Sequence, residues 1–142
     1  MRLKKDEHIG FLQNVPLFAA CSEKDLRTVG GLATEVEVPA GKTLMKEGAP
    51  GMEMFIVLQG SVEVTRNGET ISVIGPGEVV GELALLDHGP RTASVVTREP
   101  ATLLVLDSRA FASLMVDAPA VAFKVAKTLA ARLRTVQDSA NH

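Results

Sequence analysis

One short stretch of this chain gathers residue types that suit an anion and a sugar: Gly81-Glu82-Leu83-Ala84-Leu85-Leu86-Asp87-His88-Gly89-Pro90-Arg91-Thr92-Ala93-Ser94. Gly75-Pro76-Gly77 and Gly81 make a turn-rich approach in which backbone can come close to a ligand. Glu82 to Leu86 is long enough for one helical turn, and the N–H groups at its start suit a phosphate placed before it. Pro90 ends any helix there. Arg91 follows in an extended segment, and a guanidinium meets a phosphate through parallel hydrogen bonds. Thr92 adds a hydroxyl donor, and the Glu82 carboxylate can accept bonds from a sugar hydroxyl and its surroundings. Each part also has a plainer use. Glu82 favours a helix dipole, Arg91 suits a solvated surface, and the glycines suit turns.

The elements around this stretch must hold it in place. Ile9, Leu12, Val15 and Leu17 space out as a short amphipathic segment broken by Pro16. Ser22 with Glu23, Lys24 and Asp25 forms a cap and first turn. Leu26, Val29 and Leu32 continue at helical spacing until Gly30-Gly31. Strands and turns then take over. Glu35 to Val38 alternates, Pro39-Ala40-Gly41 is a turn, and Thr43 to Met45 is strand-like. Ala49-Pro50-Gly51-Met52 places Pro and Gly where a type II turn wants them. Met54 to Leu58 is apolar and β-rich.

Asn67-Gly68 is a two-residue hairpin loop. By arithmetic it sets Arg66 opposite Glu69, Val64 opposite Ile71 and Val62 opposite Val73. Thr92 to Thr97 and Thr102 to Leu106 give two more strands around Glu99-Pro100. A short helix starts at Ser108-Arg109-Ala110-Phe111, and a longer one starts at Asp117 and Pro119 and reaches about Asp138. On that helix Val121, Val125, Leu129, Leu133 and Val136 form one stripe, with Lys124, Lys127 and Arg134 opposite and Arg132 among the apolar positions.

The stretch from Gly81 to Ser94 closely resembles the phosphate-binding cassette of cyclic nucleotide-binding domains. Such domains occur in the catabolite activator protein, in protein kinase A and G regulatory regions and in cyclic-nucleotide-gated channels. The matching residues are Gly81-Glu82-Leu83-Ala84-Leu85 and Pro90-Arg91-Thr92-Ala93-Ser94. Gly48, Gly60, Gly75, Gly77 and Gly81 also stand where the family places glycines. The resemblance implies that Arg91 pairs with a cyclic phosphate and that Glu82 holds the ribose 2′-hydroxyl. It further implies that the backbone N–H groups of Leu83 and Ala84 meet the ligand, with Gly81, Thr92 and Ala93 beside them. Thr92 permits cGMP through the guanine amino group and does not exclude cAMP, which the likeness to bacterial members favours slightly. The family closes its site with the C-terminal helix, which makes Arg132 and Leu133 candidate lid residues.

The expected fold is mainly β: a jelly-roll-like β-roll of about eight strands with an inserted cassette and flanking helices. One domain covers 1–142, with N-terminal helices in 1–32, the roll in 33–107 with its cassette at 81–94, and C-terminal helices in 108–138. The expected role is that of a receptor or regulatory module for a cyclic nucleotide, with no catalysis, cofactor or metal of its own. It would act through a protein effector or by self-association, as a stand-alone receptor or as part of a larger sensor. Met1 argues mildly for the first.

The composition fits this reading. A formal net charge of −2 argues against non-specific nucleic-acid binding. One cysteine, Cys21, allows no intrachain disulfide, fits a reducing cytosol and reads as a structural thiol. No stretch is apolar for long enough to span a bilayer, and the charged N-terminus is unlike a secretory signal. His8, His88 and His142 are dispersed, with no metal-ligand spacing, and His88 reads as a solvated loop residue. Asp87 reads as a turn residue. A cupin-like enzyme on a similar roll would need clustered histidines and carboxylates. An interaction domain with a disused cassette would not need Glu82 and Arg91.

Overall fold

The computed structural model describes residues 5–87 and 89–140. Two helices come first, α1 (Lys5–Leu12) and α2 (Glu23–Gly30), with a 3-10 turn at Pro16–Phe18 between them. Eight strands follow: β1 (Thr34–Val38), β2 (Thr43–Met45), β3 (Glu53–Gln59), β4 (Val62–Arg66), β5 (Glu69–Ile74), β6 (Val79–Val80), β7 (Ser94–Thr97) and β8 (Ala101–Asp107). A second 3-10 turn, Glu82–Leu85, lies between β6 and β7. The chain ends in α3 (Ser108–Asp117) and α4 (Pro119–Ala140). The strands form two antiparallel sheets in the orders β1-β8-β3-β6 and β2-β7-β4-β5, the expected roll.

The helix α2 starts as its residue types dictate. Ser22 Oγ accepts from the Asp25 N–H at 3.2 Å, and the Asp25 carboxylate accepts from the Ser22 N–H at 2.9 Å. This reciprocal pair satisfies two donors that a helix start leaves orphaned. On the other side of the chain Asp107 caps α3, accepting from the Ala110 N–H at 2.7 Å.

The roll has a core on each face of its first sheet. Met54, Ile56 and Leu58 of β3 pack with Leu104 and Leu106 of β8 against the helices, where Phe18 and Phe111 meet at 6.3 Å between ring centroids. Phe55 and Val57 point the other way, into the space between the sheets with Val62, Val95 and Leu103. β3 is therefore covered on both faces, and its apolar run does not alternate.

Three expectations need correction. The Asn67-Gly68 turn forms, with φ of 53° and 81°, and Arg66 faces Glu69. Beyond Thr65–Thr70 a bulge shifts the ladder, so Val64 faces Ser72 and Val62 faces Ile74, not Ile71 and Val73. The extra residue leaves Ile71 and Val73 about half exposed and turns Ile74 toward the inter-sheet core. The tight turn lies three residues upstream of Pro50-Gly51: the Ala49 N–H donates to Lys46 O at 3.0 Å, and Gly48 takes φ 84°. Pro50 is instead drawn into a bridge with Pro90. Finally, the stripe on α4 is buried only at Val121 and Val125, while Leu133 and Val136 are exposed because the helix outruns the core. Lys124, expected on the solvated side, bonds Asp25 of α2.

Candidate functional site

The loop from β6 to β7 is shaped by three local devices. Gly81 takes a left-handed φ of 77°, which turns the chain sharply out of β6. The 3-10 turn that follows is anchored by Leu85, which is buried in the helix-side core. Asp87 then closes a small turn on itself, its Oδ1 accepting from the Gly89 N–H at 2.9 Å.

The second half of the loop is stitched to the β2–β3 connection. The Arg91 N–H donates to Ala49 O at 2.8 Å, and the Gly48 N–H donates to Arg91 O at 2.9 Å. The Gly51 N–H reaches Gly89 O at 3.3 Å, and the Glu47 N–H reaches Ser94 Oγ at 2.9 Å. β7 begins only at Ser94, two residues later than the strand expected from Thr92. Arg66 at the hairpin tip donates from Nε to Thr92 O at 3.0 Å.

Arg91 is half-buried, and its Nη2 donates to Glu53 O at 2.7 Å. Burial pulls its guanidinium below the ordinary value, and the Glu53 charge pulls the other way. An arginine stays cationic through such a shift. The side chain therefore presents a fixed positive charge with donors left over from the Glu53 contact.

The Glu82 carboxylate bonds toward the helices. Its Oε2 accepts from the Leu17 N–H at 3.3 Å, and its Oε1 lies 3.6 Å from Arg132 Nη1 on α4. Leu17 sits in the first turn of Pro16–Phe18, where N–H groups lack helical partners and Val15 supplies no side-chain cap. A carboxylate from far along the chain fills that role.

Gly81, Glu82, Leu83, Arg91 and Thr92 line one cleft of about 360 Å³, with Met45 from β2. Ala84 lies in the 3-10 turn beside them. Ala93 is buried and turned away from the lining. Arg132 borders a separate shallow groove with Pro16, Ala19 and Thr128, while Leu133 is exposed. His8 is buried, with Nε2 3.1 Å from Glu35 Oε1, tying α1 to β1. His88 and His142 lie outside the described residues. Among the described residues no group of three or more His, Cys, Asp or Glu stands together as a metal site, and no helix is long and apolar enough to cross a membrane.

The sequence profile described as "Cyclic nucleotide-binding domain" matches residues 35–117, a span that contains the whole loop. The chain belongs to the cyclic nucleotide-binding domain family. Among curated relatives, a "CRP-like cAMP-activated global transcriptional regulator" of Mycobacterium tuberculosis is 31% identical over 109 residues, 73% of this chain and 49% of that protein. The chain thus spans about half the length of that relative. Among solved structures, the N-terminal domain of a transcriptional regulator from Streptomyces coelicolor aligns with a TM-score of 0.84 at 33% identity, covering 90% of this chain and 95% of that one. The regulatory domain of Toxoplasma gondii PKA, solved with cAMP, aligns at 0.71 and 34% identity, covering 77% and 43%.

Within this cyclic nucleotide-binding domain, several contacts escaped sequence reasoning. Leu17 is reached through a backbone N–H, which carries no residue signature. Gly51 and Glu53 meet Arg91 only because β2–β3 folds back on the loop. Arg132 did leave a trace, as a charge among apolar helix positions.

Proposed function

We propose that the cleft binds a cyclic nucleotide, with cAMP favoured and cGMP the alternative, and that the domain works as a non-catalytic regulatory module. Arg91 takes the cyclic phosphate, helped by the N–H groups of Leu83 and Ala84 at the start of the 3-10 turn. Glu82 takes the ribose hydroxyl. The observation that carries this reading is the single cleft shared by Gly81, Glu82, Leu83, Arg91 and Thr92. The printed names of the relatives support cAMP: the Mycobacterium protein is cAMP-activated, and a Thermus thermophilus relative at 32% identity is a "Cyclic AMP receptor protein".

The output runs through α4, because Arg132 on that helix touches the same carboxylate that the ribose would engage. Ligand shifts the position of α4 only by as much as it favours one state over the other. The receiver is a protein effector or a second copy of the chain, within the cytoplasm. A second reading, a regulatory domain serving a larger transcriptional regulator, is favoured by relatives about twice as long. In that case nucleic acid is met elsewhere, since this chain carries a formal net charge of −2. Calorimetric titration of nucleotide-free protein tests the binding claim: heat with cAMP or cGMP supports it, and heat with neither contradicts it.

A further inference from the structure

Arg91 crosses the face of Gly51. A Cβ built on Gly51 would stand 2.7 Å from Arg91 Nε, 2.8 Å from Cζ and 2.9 Å from Cδ. Those separations are well inside van der Waals contact, so side chain and methyl cannot share the space. Gly51 itself is held by its N–H bond to Gly89 O, and its neighbours Ala49 and Pro50 are held against Arg91 and Pro90. Of the two partners, the arginine side chain is the one free to leave.

We infer that Gly51 is a positioning residue for Arg91: its bare Cα forms the shelf on which the guanidinium lies, aimed into the cleft and within reach of the Glu53 carbonyl. The inference rests on the cyclic-nucleotide reading for its consequence but not for its geometry. Gly81 bounds the guanidinium on another side, where a Cβ would meet Nη1 at 2.7 Å and Glu53 O at 2.9 Å. Gly81 also needs its positive φ, so replacing it would strain the backbone as well. Gly51 has no positive φ, so alanine fits its backbone and changes only the shelf.

A methyl at position 51 forces the Arg91 side chain to shift from the position in which it bonds Glu53 O. The charge stays in the protein, but its donors no longer converge on one phosphate position. Gly51→Ala therefore weakens nucleotide binding while leaving the fold in place, and it acts only when Arg91 is there to be displaced.

The test is a double-mutant cycle on the whole chain: wild type, Gly51→Ala, Arg91→Ala and the double variant. Two readouts need no nucleotide: the Arg91 Nε–Hε resonance in ¹⁵N-labelled protein, and the thermal midpoint. The third is the cAMP dissociation constant. Gly51→Ala is expected to move the resonance and to weaken cAMP on the order of tenfold. In the Arg91→Ala background it is expected to cost neither affinity nor melting temperature. An unmoved resonance with wild-type affinity would overturn the inference, as would an equal loss with and without Arg91. If wild type binds no cyclic nucleotide, the ligand reading falls alone, and the resonance and the melting cycle still decide what Gly51 does.

Discussion

Arg132 Nη1 lies 3.6 Å from Glu82 Oε1, so the C-terminal helix is tied to the cassette through the carboxylate expected to hold the ribose. The other oxygen of that carboxylate accepts from the Leu17 N–H. Three segments far apart in the chain thus converge on one side chain: the N-terminal 3-10 turn, the cassette and α4. A ligand hydroxyl that engages Glu82 enters this junction directly, which gives α4 a physical reason to respond.

Arg132→Ala should weaken cAMP binding less than Arg91→Ala and should speed dissociation, because it removes a partner of Glu82 and leaves the phosphate contact alone. Stopped-flow displacement with a fluorescent cyclic nucleotide reads both quantities. Unchanged affinity and unchanged dissociation rate would take Arg132 out of the site.

Glu82→Ala should destabilise the ligand-free protein by about 1–3 kcal/mol, the usual cost of leaving a buried donor without its partner. The donor is the Leu17 N–H. Urea unfolding followed by circular dichroism measures the loss. Glu82→Gln keeps an acceptor for Leu17 and should recover most of it, while still losing the attraction to Arg132.

Asp25 should make the protein acid-sensitive. Its carboxyl is held below the ordinary value of 3.8, first by the bond from Lys124 and then by the Ser22 N–H. A depressed folded-state value means the stabilisation is fully present above the unfolded value and is lost as pH falls through the folded one. The window therefore lies below about pH 4. Thermal midpoints measured from pH 6 to pH 2 should fall less steeply for Asp25→Asn than for wild type.

Cys21 should react slowly. Burial raises its thiol above the ordinary value, Asp25 adds to the rise and Lys124 opposes it. Less thiolate at a given pH means slower alkylation. Iodoacetamide at pH 8 should modify folded protein more slowly than urea-unfolded protein.

Much of this was legible in the sequence, where a signal was local. Ser22 announced a helix cap, and Asn67-Gly68 announced a hairpin, because both depend on neighbours a few residues away. The helical turn after Gly81 was legible from the run Glu82 to Leu86 ahead of Pro90. What stayed hidden was set at a distance. The bulge past Thr65 answers the need to bring Ile74 to the inter-sheet core, which no turn rule encodes. Glu82 reads as a sugar ligand in isolation, yet its contacts with Leu17 and Arg132 depend on how helices from both ends dock. Lys124 sits on the polar side of its own helix but finds Asp25 on another.

The most direct test is calorimetry with cAMP and cGMP on nucleotide-free wild type and Arg91→Ala. Binding by wild type, with a loss of about 2–5 kcal/mol in the variant as expected when one partner of a desolvated charge pair is removed, is the predicted result. No heat from wild type with either nucleotide, or equal affinity in the variant, would contradict the account.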